Sequence, residues 1–228
     1  MGSVIWQSIV TPLEISIKDP AVLFTNVYTA LQYGIYYSFF EVFPLVYPVM
    51  YGFSLGQTSI VFVCISVACV LGIVIYSSYV YFYLEPDILK NGLRAQEHRL
   101  VPAIFASFGI PIRLFIFGWT SNPDIHWIVS VIGITIFGIS GFVLFQCIFM
   151  YLPLSYPQYA ASLFATNDTW RSALAAGAII FARPLFINLG VGRGISILAS
   201  LAVGGVIGMI VLYYYGARLR ARSKFAIT

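Results

Sequence analysis

Two short stretches place ionisable side chains inside otherwise apolar sequence. "YYSFFEVFP" (36–44) sets Glu41 among aromatic and aliphatic residues. Tyr33, Tyr37 and Glu41 recur every four positions, so on a helix they share one face. A carboxylate beside phenols on a face that borders water can carry a proton or meet a cation. The bland alternative is that Glu41 simply reaches the edge of the membrane. "ATNDTWRSALAAG" (165–177) holds Asn167, Asp168 and Arg171. The three-residue spacing lets Asp168 and Arg171 pair on one helix face, and such a pair can also be a packing contact with no further role. Gln146 can line a cavity or bond a neighbouring helix. Arg113, in "GIPIRLFIFGWT" (109–120), is the hardest to place; its long stem lets the charge reach toward an aqueous edge.

Other chemistries lack their parts. "GISG" (138–141) offers Ser140 as a nucleophile of the rhomboid protease type, which needs a histidine base within hydrogen-bond reach. The chain has only His98 and His126, the first in a loop and the second at the far edge of the same span. A water channel would need two NPA-like motifs, and only "NPD" (122–124) is present. No phosphate-binding loop or metal-ligand cluster appears in the sequence, so an enzyme, a cofactor and ATP-driven transport are not expected. Cys64, Cys69 and Cys147 lie in apolar runs, where they read as small packing residues rather than as a disulfide framework.

These residues need a scaffold that tolerates apolar surroundings. Hydrophobic residues make up 60% of the chain and charged residues 9%, with a mean hydropathy of +0.91. Soluble domains carry about 25% charged residues, so the solvent is a bilayer. The net charge of +4 then reflects topology rather than nucleic-acid binding. Six windows are long and apolar enough to cross a membrane: 21–43, 58–82, 100–119, 126–149, 157–182 and 190–215. The expected fold is an all-α integral membrane bundle of six helices. Pro44 and Pro48 should close the first span, and Pro153 with Pro157 should part the fourth from the fifth. Lys18, then Lys90, Arg94 and Arg99, then Arg218, Arg220, Arg222 and Lys224 fall on one side, which predicts that both termini and the polar loop 84–99 are cytosolic. Small-residue runs such as Gly204–Gly208 should allow close helix packing.

Several stretches are similar to one family. "YGIYYSFFEVFPLVY" (33–47) resembles the seventh span of fungal twelve-spanner drug:proton antiporters of the major facilitator superfamily. "AQEHRLVPA" (95–103) resembles their Pro-Glu-x-Arg-Leu loop motif through Glu97, Arg99 and Leu100, with Gln96 in place of the proline. "FIFGWTSNPDIHWI" (115–128), "YAASLFATNDTWRSALAAG" (159–177) with "PLF" (184–186), and "YGARLRARSKFA" (215–226) resemble the ninth-to-tenth turn, the eleventh span and the C-terminus. The likeness is to benomyl, cycloheximide and fluconazole resistance permeases, with polyamine exporters as near relatives.

This resemblance implies a C-terminal half: residues 1–20 the end of a central cytosolic loop, 21–215 the six-helix bundle, and 216–228 a basic cytosolic tail. It implies that the first and fourth spans border a central cavity, that the second and fifth flank the half–half interface, and that the third and sixth face lipid. Tyr37, Glu41, Gln146, Asn167 and Arg171 would then lie near the substrate path. The implied partners are protons, hydrophobic drug-like molecules, the lipid bilayer and an N-terminal six-helix half, in a fungal plasma membrane. The family's Gly-Asp-Arg loop and antiporter glycine-proline motifs have no counterpart in these residues, so the chain alone is expected not to transport. A non-transporting membrane assembly subunit is the competing expectation, and a facilitator built from two copies comes third.

Overall fold

The computed structural model describes residues 13–222, and its described residues are helical with short connections. The outer parts of the two flanking segments, residues 1–12 and 223–228 with Lys224, lie outside the described residues. Asp19 starts α1 (Pro20–Pro44): its carboxylate accepts from the Ala21 and Val22 amides at 3.0 and 3.3 Å, and Pro20 occupies the first turn, where no amide proton is needed. The chain then passes through a π-helical segment, Leu45–Met50, into α2 (Leu55–Val61), α3 (Val63–Tyr79), a second π-helical segment, Val80–Leu84, and α4 (Glu85–Asn91). A Ser54–Gln57 capping box opens α2. The remaining helices are α5 (Val101–Thr120), α6 (Ile128–Ser155), α7 (Ala160–Leu189) and α8 (Val191–Ala221).

Five helical stretches are long and apolar enough to cross a membrane: Leu55–Asn91, Gln96–Thr120, Ile128–Ser155, Pro157–Leu189 and Val191–Ala221. The first expected span, 21–43, is helical as α1 but is not among these five. The reason is its polar content. Thr25, Asn26, Thr29, Gln32 and Ser38 are all buried inside the protein, so α1 carries a polar face that lipid never meets. Thr25, Thr29 and Ser38 return their hydroxyl protons to carbonyls one turn back.

The expected breaks hold only in part. Pro44 is the last residue of α1 and Pro157 lies in the turn between α6 and α7, but Pro48 sits inside the first π-helical segment and Pro153 inside α6. These two do not end their helices, because in apolar surroundings neighbouring groups and local winding changes absorb the missing amide. The polar loop expected over 84–99 is largely helical too: α4 fills 85–91 and a 3-10 turn (Gln96–Leu100) leads into α5, with Gly92 at φ 71° making the bend.

α1 lies along α7, α3 along α6, and α5 between α6 and α8. The side chains that seal the interior include Phe43, Tyr47, Phe117, Tyr151 and Tyr156. Gly205 and Gly208 on α8 leave the space that the rings of Tyr28 and Phe24 fill, so the small-residue run serves packing. The outward faces are apolar, with Ile60, Phe105 and Ile180 69%, 74% and 77% exposed.

Candidate functional site

Two helices bring aromatic rings around one cation carried by a third. The Arg171 guanidinium carbon on α7 lies 5.2 Å from the ring centroid of Tyr33 on α1, and 5.7 and 5.3 Å from those of Phe145 and Phe149 on α6. Aromatic faces attract a cation at such distances, more strongly where water is excluded. The same guanidinium donates through Nη2 to Asp168 Oδ1 at 2.8 Å. The two partners are not equivalent: the Arg171 side chain is 18% exposed and that of Asp168 is 66% exposed. The cation is therefore enclosed and its counter-ion is open. The three-residue pairing expected from the sequence is present. The caging phenylalanines were not anticipated, although their own four-residue spacing placed them on one face of α6.

Tyr33 continues the cluster along α1. Its hydroxyl lies 3.3 Å from that of Tyr37, and the two rings are 4.8 Å apart. Tyr36 and Phe40 pack edge-on and tilted against Tyr37. Glu41 is one turn further on, half-buried, and has no hydrogen-bond or ion-pair partner among the described residues. Gln146 follows Phe145 on α6, half-buried and likewise unpaired among the described residues. The structure thus joins Tyr33, Tyr37, Asp168 and Arg171 in one cluster and leaves Glu41 and Gln146 at its margins.

Asn167 sits at the seam between α7 and α1 rather than at an open surface. It is fully buried, and its Nδ2 donates to Asn26 Oδ1 and Thr29 Oγ1, both at 2.8 Å. The expected polar residue at 167 is therefore a helix-to-helix fastener. Its signal in the sequence is the polar series Thr25, Asn26, Thr29 and Gln32 at helical spacing in the first span.

The loop motif forms a second polar centre at one end of the bundle, beside the start of α1 and the end of α8. Glu97 is 5% exposed and takes both Nε and Nη2 of Arg220 in α8, each at 2.8 Å. Ser155, at the end of α6, donates to Gln96 Oε1 at 2.7 Å. Tyr156 donates to Asp19 Oδ2 at 2.7 Å. Burial and then this bond to a carboxylate push the Tyr156 phenol well above its ordinary pKa, so it stays protonated as a donor. Leu100 is fully buried beside this centre, while Arg99 Nε is buried with no hydrogen-bond partner among the described residues. Arg220, expected only as part of a topology signal, thus holds the loop motif to the last helix.

Comparison with known proteins decides what these centres belong to. The chain is 42% identical over 223 residues to the MFS-type transporter pyvG of Aspergillus violaceofuscus, covering 98% of this chain and 41% of that protein. It is 37% identical to the cycloheximide resistance protein of Candida maltosa, over 99% of this chain and 41% of the relative. By sequence it is a relative of the fungal major-facilitator multidrug transporters, matched to their C-terminal half. Fluconazole resistance protein 1 of Saccharomyces cerevisiae is a further match, at 36% identity over 94% of this chain and 39% of its own length. The chain therefore spans about two fifths of the length of these curated relatives. No family model and no solved structure matches it. The relatives, together with the five membrane-capable helices, make it an integral membrane protein.

Proposed function

We propose that the chain forms the C-terminal six-helix half of a proton-coupled exporter of hydrophobic drugs, with α1 as the sixth crossing and with no enzymatic step. The observation that carries this is the convergence of α1, α6 and α7 on the caged Arg171, beside the open carboxylate of Asp168 and the paired phenols of Tyr33 and Tyr37. Aromatic rings offer a broad face for flat apolar molecules. Asn26 and Thr29 fasten α1 to Asn167 on α7, and further along α1 the Tyr33–Tyr37–Glu41 face would border a cavity. An N-terminal half would supply the opposite wall, and transport would proceed by rocking of the two bundles about a site near the bilayer midplane.

Glu41 is the proposed proton carrier. A half-buried carboxylate without a partner is costly in a membrane unless it is neutral or meets water. The Glu97–Arg220 end and both termini would be cytosolic and the Asp124 turn external, in a fungal plasma membrane. Residues 13–20 would lead out of a central cytosolic loop, and the basic end of α8 would open the cytosolic tail.

The test is efflux from cells carrying this half together with a matching N-terminal half, with protein in the membrane held equal. Glu41→Gln should keep membrane delivery and lose proton-coupled efflux of both a neutral and a cationic drug, while Glu41→Asp keeps more. Parental efflux by Glu41→Gln at every external pH would leave Glu41 as an interface residue and remove it from the mechanism.

A further inference from the structure

Arg113 lies on a different side of the bundle from the site above. It is in α5, twelve positions after Val101 and seven before Thr120. At about 1.5 Å per residue its backbone is about 18 Å from one end of the helix and about 10 Å from the other, near the middle of a bilayer core. Its guanidinium turns back over Gly109, where any side chain would occupy the same space. Nη1 donates to Ser140 Oγ at 2.7 Å, and Ser140 gives its own proton to the Ile136 carbonyl at 3.0 Å. Ser140 is therefore an acceptor here and not a nucleophile. Among the described residues no carboxylate pairs with Arg113. A guanidinium has five N–H donors, and the serine uses one of them.

The guanidinium lines a groove of about 600 Å³ between α3, α5 and α6 that is open at the bundle surface. This volume is within the range that accepts a drug-sized molecule, about 300–1,000 Å³. Its walls are apolar and aromatic, with Tyr76, Tyr79 and Tyr83 from α3 and the π-helical segment after it, Phe105 from α5 and Val143 from α6. Ser140 and Val143 occupy the face of α6 opposite Phe145 and Phe149, so the groove and the Arg171 cage share a helix but not a surface.

We infer that this groove is a binding site for a flat aromatic monocarboxylate that reaches it from the bilayer. The carboxylate takes the free edge of the Arg113 guanidinium, whose planar fork fits two carboxylate oxygens, and the rings stack on Tyr76, Tyr79 and Phe105. An unpaired cation at this depth lacks an anion, and a phospholipid headgroup does not sit near the midplane to provide one. The tyrosine and phenylalanine walls favour an aromatic body over an acyl chain. The assignment rests on α5 crossing the bilayer and not on transport by this chain.

The test is equilibrium binding of 1-pyrenebutanoate, 1-pyrenebutanol and dodecanoate to the chain in lipid nanodiscs, with empty nanodiscs subtracted. The pyrene acid should bind the unmodified chain about tenfold or more tighter than the pyrene alcohol, the difference expected of a charge-assisted contact. It should also bind tighter than dodecanoate. Arg113→Gln should bring the pyrene acid and alcohol level, and Arg113→Lys should keep part of the preference. Gly109→Val, which keeps the charge but fills its seat, should weaken acid binding; this variant and the comparison on the unmodified chain decide the matter if Arg113→Gln does not fold. Equal binding of pyrene acid and alcohol, a preference for dodecanoate, or an undiminished acid preference in folded Arg113→Gln would each overturn the assignment.

Discussion

Removing either member of the Glu97–Arg220 pair should destabilise the bundle more than any other single ionic change in the described residues. The two side chains are 7% and 10% exposed, and the contact uses two nitrogens and both carboxylate oxygens. Truncating one partner of a buried pair leaves the other charge desolvated, at a cost of about 3–5 kcal/mol. Glu97→Gln falls at the low end because the amide still accepts one bond, and Arg220→Met keeps the bulk of the stem. Replacing both removes the stranded charge, so the double variant should be less destabilised than the two single losses added together, with a coupling of about 2–3 kcal/mol. Arg94 and Asp87 provide the control. They also pair, at 2.9 Å, but with side chains 39% and 23% exposed, and Arg94→Ala should cost less than about 1 kcal/mol. The assay is reversible unfolding in mixed micelles for the four members of the cycle. A coupling under about 0.5 kcal/mol would mean that the pair behaves as an exposed one, and the clamp between loop motif and last helix would be refuted.

Other substitutions test the remaining contacts. Asn167→Ala should cost about 1–3 kcal/mol by leaving Asn26 and Thr29 without their donor in a dry seam, as read by the same unfolding assay; no loss would mean that the α1–α7 seam does not depend on it. Tyr156→Phe should cost a similar amount, because the Asp19 carboxylate, 3% exposed, would lose its hydroxyl partner. Arg171→Gln should vacate the aromatic cage and raise the preference of the reassembled exporter for cationic over neutral drugs severalfold in competition efflux. Single cysteines in a background without the native three should label with an impermeant reagent on intact cells at position 124 and not at position 94; the reverse pattern would invert the proposed topology.

Much of this was legible in the sequence because length and apolar content alone decide where helices can cross a bilayer. The six windows all became helices, but Asn167, expected near a substrate path, instead bonds Asn26 and Thr29 in a buried seam. What escaped was anything that depends on three dimensions. Phe145 and Phe149 carry no mark of a cation cage until α7 brings Arg171 across to them. Arg220 looks like one basic residue among several until Glu97, 123 positions away, turns up beside it. Pro48 and Pro153 misled for a physical reason: an internal proline ends a helix in water, whereas here each is carried within one. Arg113, expected to reach toward an aqueous edge, instead rests its guanidinium over Gly109 and bonds Ser140.

The central claim is that this chain is one wall of a proton-driven exporter. The direct measurement is drug accumulation in proteoliposomes under an imposed pH gradient, comparing this chain alone with the chain joined to the N-terminal half of the Candida maltosa cycloheximide resistance protein, its relative at 37% identity. The account predicts no gradient-dependent accumulation by the chain alone, and accumulation by the joined protein that collapses when the gradient is dissipated. Accumulation by the chain alone at the same rate as the joined protein would contradict it.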